Sequence, residues 1–215
     1  MTDPVLPHGP PRSDPPPGEA AAPAFWRGIY RGEEKPGWDK GAAAPPIARL
    51  VASGAVPRGK VAVPGCGFGW EAMLLARHGF DVWGFDFAPE GIEGARRNLA
   101  GEGLCATFDL RDVLTLADAY PGAFDAVCEH TCLAAIPPRN REAYARSIAG
   151  ALRSGGLYFG LFYFHGRTGG PPFDVTRADV EALFGGLFSF DRFETPPDSF
   201  EGRRGNEREF VFRKR

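Results

Sequence analysis

The residues best suited to chemistry begin at a turn, Val63-Pro64-Gly65-Cys66-Gly67-Phe68-Gly69, between a short apolar run and a helix-like one. Glycines at alternate positions let the backbone adopt positive φ and approach a ligand closely. The N–H groups opening the next helix then face that ligand. Alone, the turn would serve equally as a tight strand-to-helix connection. Asp86 closes the next apolar run, 21 residues after Gly65. A carboxylate there can accept from both hydroxyls of a ribose; otherwise it caps the helix that begins near Pro89. Asp112 and apolar Val113 follow the third run, where the acid can accept from an adenine amino group and its neighbour can pack on the ring. Taken singly, Asp112 is a loop or cap residue. The order of glycine turn, Asp86 and Asp112 points to an adenosine-bearing ligand. A nicotinamide dinucleotide fits less well. The glycines run GxGxG rather than GxGxxG, Pro64 precedes them, and Trp70 and Glu71 stand where a second phosphate needs room.

Cys128, His130 and Cys132 alternate, so on a strand they would share one face and could supply three of four zinc ligands. No second ligand cluster accompanies them. Packing around a single histidine is the preferred reading, and no metal is expected. None of the four cysteines forms a CxxC pair. With no basic-then-apolar leader, they read as reduced thiols in a cytoplasmic protein. A formal net charge of −2 gives no sign of nucleic acid or an anionic membrane as partner. No apolar run is long enough to span a bilayer. A small-molecule substrate is expected, with a monomer slightly favoured.

These residues need a scaffold to bring them together, and the apolar periodicity supplies one. Residues 1–24 are rich in proline and small or polar residues and form an expected disordered tail. One domain follows over 25–215. Pro45-Pro46 starts a short helix with Ile47, Leu50 and Val51 on one face. Strands are expected at 60–63, 80–85, 105–108, 123–128 and 157–164. Helices at 70–78, 89–99 and 139–152 separate them, with Met73, Leu74 and Leu75 of the first turned inward. Such alternation predicts a doubly wound, Rossmann-like α/β fold with a parallel sheet covered on both faces. Thr176 to Asp179 is a capping box opening a helix through Phe184. Strands near 188–193 and 209–213 follow, joined by a linker too short for a crossover, so they form an antiparallel hairpin.

The chain resembles the thiopurine methyltransferase superfamily, and within it the thiol and halide methyltransferases. The resemblance rests on Phe25-Trp26, Tyr30, Gly37-Trp38-Asp39, Val63-Pro64-Gly65-Cys66-Gly67, Gly84-Phe85-Asp86, the stretch from Glu129 to Pro138, and Gly169-Gly170-Pro171-Pro172-Phe173. It implies a class I fold of seven strands, five parallel and then the hairpin, with S-adenosylmethionine as cofactor and S-adenosylhomocysteine as product. It further implies that Trp26, Tyr30 and Trp38 cover the cofactor, where aromatic faces attract a sulfonium. Gly65 would contact its methionine part and Asp86 would hold its ribose, with Cys66, Gly67 and Phe87 also in the cofactor site. Asp112 and Val113 would hold adenine, and Glu129 and His130 would also touch the cofactor. His130 is the candidate base and His165 a second; Cys132, Tyr163, Phe164 and Phe173 would line the substrate pocket. Thiopurine enzymes carry Asp-Arg-Gly where this chain has Glu129-His130-Thr131, which disfavours a purine thiol. The expected acceptor is a thiol, sulfide or halide. Aromatic thiols, thiopurines, or selenium and tellurium species are alternatives, as is a cofactor-binding protein without transferase activity.

Overall fold

The computed structural model describes residues 23–32 and 36–215. Most of the expected tail lies outside them; its last two residues, Pro23 and Ala24, instead open a helix, α1 (Pro23–Arg31). Helix α2 (Pro45–Ala52) starts with proline at its first positions, where the missing N–H would have no helical partner, and buries Ile47, Leu50 and Val51.

The sheet has seven strands in the order β3-β2-β1-β4-β5-β7-β6. β1 (Lys60–Pro64) leads through the glycine turn to α3 (Trp70–Arg77), and β2 (Asp81–Asp86) leads to α4 (Pro89–Gly101). β3 (Thr107–Leu110) begins two residues later than the apolar pattern suggested, because α4 runs past Leu99 and closes through Gly103 in the left-handed region. A 3-10 turn and the short α5 (Leu116–Ala119) then return the chain to β4 (Phe124–His130). Helix α6 (Cys132–Ala135) follows at once, then α7 (Arg141–Ala151). β5 (Leu152–Tyr163) starts earlier than expected: Leu152 pairs with Phe124, and the register shifts before Ala126 pairs with Leu157.

The first five strands are mutually parallel. Helix α8 (Arg177–Phe184) opens on the Thr176–Asp179 capping box. β6 (Phe188–Glu194) and β7 (Glu207–Lys214) form the antiparallel pair, with β7 inserted between β5 and β6. Helices α2, α3 and α4 cover one face around Ile47, Leu75 and Ile92. α5 to α8 cover the other around Leu116, Ile148, Val180 and Phe184. Of the inward trio on α3, Met73 and Leu75 are buried, and Leu74 packs at the margin. On the second face, Phe162 stacks on Phe210 at 4.0 Å and Phe190 on Phe212 at 3.9 Å.

Candidate active site

The parallel strands end on one edge, and the turns leaving that edge carry the candidate residues. Gly65, Gly67 and Gly69 all have positive φ, at 59°, 51° and 79°. A side chain at Gly65 would strike Cys132 Sγ at 2.9 Å, and one at Gly69 would strike Ala95 at 2.8 Å. Gly69 therefore serves close packing of α3 on α4. Above Gly67 stands an aromatic trio: Tyr30 and Trp38 lie 5.6 Å apart, Tyr30 and Phe68 5.2 Å, and Trp38 and Phe68 6.0 Å. Phe68 escaped the sequence reading, although as a spacer in the glycine turn it had to face one side of it. Trp26 packs edge-on against Phe25.

Asp86 is buried beneath the trio. Its Oδ2 accepts from Gly67 N at 3.0 Å and from Tyr30 Oη at 3.0 Å, and its Oδ1 accepts from Ala88 N at 2.9 Å. Burial raises its pKa, partly offset by these donors. Burial, then the nearby Asp86 charge, push the Tyr30 phenol well up, so it donates rather than ionises. Arg27 and Arg31 of α1 both reach Glu90 of α4, at 3.2 and 2.6 Å, and hold the helix over the site. Arg111 N donates to Asp86 O at 2.9 Å, which keeps the ends of β2 and β3 side by side. Asp112 thus lies on the same edge as Asp86, with Phe87 half-buried beside it. Asp112 is exposed and also caps the 3-10 turn by accepting from Leu114 N at 2.9 Å, while Val113 is buried.

The end of β4 departs most from expectation. The strand stops at His130, and Thr131 takes φ 65°, the one non-glycine positive φ among the described residues. This reversal sends Cys132 to the opposite core from Cys128, so the alternating cysteine–histidine triplet does not share a face. Among the described residues, no cluster of three metal-ligating side chains is present. Glu129 faces the core that holds Tyr144 and Tyr158. It is fully buried, accepts from Tyr144 Oη and, at 3.1 Å, from Tyr158 Oη, and takes Leu133 N at 2.9 Å. Its side chain braces the β4–α6 turn from behind.

His130 faces the other way, into a charged cluster. Its Nδ1 donates to Glu71 Oε1 at 2.7 Å, and its Nε2 lies 3.6 Å from Glu207 Oε1. Arg203 reaches the same Glu207 oxygen at 3.4 Å and covers the Tyr163 ring at 4.7 Å. Burial would lower the His130 pKa, but the Glu71 charge and the contacts with Glu207 and Glu71 outweigh it and carry it to about 9. The two carboxylates therefore favour the imidazolium form of His130. Both carboxylates stay ionised: burial opposes this, and His130 reverses it. Sequence reading missed Glu71, Arg203 and Glu207 in this role, since partners 59 positions apart leave no local signature.

The expected pocket residues separate. Cys132 is buried under Gly65, and burial holds its thiol, like those of Cys66 and Cys128, well above the usual range. Phe164 turns from Tyr163 toward Arg208 and lines an open cavity of about 330 Å³ with Asp174, Val175 and Arg177. Phe173 N donates to Ala134 O at 2.7 Å, which ties the Gly169–Phe173 loop to α6. His165 Nδ1 accepts from Arg167 N at 3.2 Å, which leaves the proton of the neutral ring on Nε2. Burial, then the Arg167 charge, lower its pKa.

A family model described as thiopurine S-methyltransferase matches residues 21–214. A probable thiol methyltransferase 2 of Arabidopsis thaliana is 31% identical over 149 residues, 68% of this chain and 65% of its own length, so the match spans just under two thirds of that relative. A thiocyanate methyltransferase 1 of Brassica oleracea is 31% identical over 177 residues, 80% of this chain and 76% of its own. Among solved structures, the Burkholderia thailandensis 1,6-didemethyltoxoflavin-N1-methyltransferase, with S-adenosylhomocysteine bound, shares the fold. Its TM-score is 0.71 at 20% identity, over 97% of this chain and 93% of that one.

Proposed function

We propose that this chain, which belongs to the thiopurine S-methyltransferase family and is an S-adenosylmethionine-dependent methyltransferase, methylates a small soft nucleophile: a thiol, sulfide or halide. The residues on the site edge fit the cofactor. Two glycines with positive φ leave open backbone at the turn, and Asp86 is aimed by two N–H groups beneath three aromatic rings. Gly65, Cys66 and Gly67 would meet the methionine part. Asp86 and Phe87 would hold the ribose, with Tyr30 yielding its place on Oδ2. Asp112 and Val113 would take adenine, under the cover of Trp26, Tyr30 and Trp38. When bound, the cofactor supplies a sulfonium methyl open to in-line displacement. The chain contributes alignment, which can lower such a barrier by about 7–11 kcal/mol.

One observation carries the acceptor class. Glu71 and Glu207 hold His130, the histidine at the end of β4, as a cation. In that form it has no lone pair with which to take a proton. The buried thiols of Cys66 and Cys132 are protonated. A histidine at the end of β4 that is held as a cation cannot serve as base, which suits a nucleophile that arrives as an anion or ionises readily, as soft anions and thiols do. The thiol and thiocyanate names of the two plant relatives agree with this in kind.

The test is transfer from methyl-labelled cofactor to iodide, bisulfide, methanethiol, thiophenol and a thiopurine. Volatile methylated products from the first three are expected. Transfer confined to thiophenol or the thiopurine would replace the small-nucleophile reading. Tight cofactor binding without transfer to any of them would remove it.

A further inference from the structure

We propose that Glu71 is a positioning residue for methyl transfer, with one carboxylate oxygen fastening both the end of β4 and the wall that carries Trp38. This rests on the cofactor site described above. Oε1 of Glu71 accepts from His130 Nδ1 at 2.7 Å and from Ala44 N at 3.1 Å. The neighbouring side chain, Trp70, donates from Nε1 to Asp39 Oδ1 at 2.7 Å. Two consecutive residues at the start of α3 therefore grip both ends of the segment from Asp39 to Ala44. Trp38 immediately precedes that segment, and its ring lies 3.4 Å from where a side chain on Gly67 would begin.

The same oxygen holds His130 beside the left-handed Thr131, where the chain leaves the sheet. Glu71 is buried, so without its carboxylate Ala44 N and His130 Nδ1 would have no acceptor in a region water reaches poorly. The charged groups around His130 are Glu71 on α3, Glu207 on β7 and Arg203 in the 3-10 turn before β7. Of these, Glu71 alone also touches the Trp38 wall through a backbone bond.

Two substitutions separate charge from hydrogen bonding. Glu71→Gln keeps an oxygen for Ala44 N but removes the charge that holds the imidazolium. It should leave Ala44 amide exchange within about threefold of the parent and move the His130 NMR titration from about 9 toward 6.5. Glu71→Ala loses both, so Ala44 exchange should accelerate about tenfold or more, and S-adenosylhomocysteine affinity should fall by a similar factor. With Glu71→Gln that affinity should fall no more than about threefold, the backbone bond being kept. Exchange and titration are read on the cofactor-free protein. If the parent chain binds no S-adenosylhomocysteine, the cofactor reading fails while these two readouts still judge the fastening. Unchanged Ala44 exchange in a folded Glu71→Ala protein, or an unmoved His130 titration in Glu71→Gln, would overturn the proposal.

Discussion

At the residue scale, the site depends on groups whose charge is set by burial and by one another. Asp86→Ala removes a carboxylate aimed by two backbone donors, and calorimetry should find S-adenosylhomocysteine affinity reduced about tenfold or more, from charge-assisted hydrogen bonds worth about 1.5–3 kcal/mol each. His130 gives a pH signature. Its folded pKa of about 9 lies above its ordinary 6.5, so the stability it contributes is complete below pH 6.5 and is lost as pH rises through about 9. Glu71 and Glu207 are depressed below their ordinary 4.5, so the same ion pairs also weaken as pH falls below that value. Denaturant midpoints measured across pH should show both limbs, and His130→Asn should flatten the alkaline one. The glycine turn and Asp86 were legible because a strand-to-helix turn confines ligand groups to a few positions. Glu71 was not, because the first turn of a helix carries an acid for many reasons and only the fold brings His130 to it.

At the element scale, α1 and the β4–α6 turn are the parts that a periodic pattern could not disclose. α1 carries Phe25, Trp26, Ile29 and Tyr30 along one face but buries none of them fully, so no core contact readable in advance fixed its place. Its position comes from Arg27 and Arg31 on Glu90 and from Tyr30 on Asp86. Deleting residues 1–20 should leave methyl transfer intact. Deletion through Arg31 should weaken cofactor binding about tenfold or more, since it removes the Tyr30 ring and its polar contact together. Behind the other turn, Glu129→Ala leaves Tyr144, Tyr158 and Leu133 N without their buried acceptor. Thermal or denaturant unfolding should register a loss of about 3 kcal/mol or more. The capping box on α8 was readable in advance because Thr176 and Asp179 make both of its bonds within four residues.

At the scale of the whole molecule, alternating runs of strand and helix disclosed the doubly wound sheet, and the short final linker disclosed the hairpin. The insertion of β7 beside β5 was not foreseen and is seen in seven residue pairs from Leu157–Arg213 to Tyr163–Glu207. That insertion assembles the Phe162, Phe210, Phe190 and Phe212 stacks from strands distant in sequence. Phe162→Ala should cost about 3–5 kcal/mol, as for other large buried aromatics, and should lower the melting temperature without altering the His130 titration.

The place of β7 also sets an order of assembly. On a chain emerging from the ribosome, β5 and β6 are made before the strand that lies between them, so β6 waits as an unpaired edge until β7 slots in. Glu207 arrives on that same strand and brings His130 its second carboxylate. The glycine turn can therefore take shape before β7 is made, while the charged cluster around His130 is completed only when that strand docks. Until β7 docks, β5 lacks its seven-residue partner, and that open edge is where mispairing with a neighbouring chain would begin.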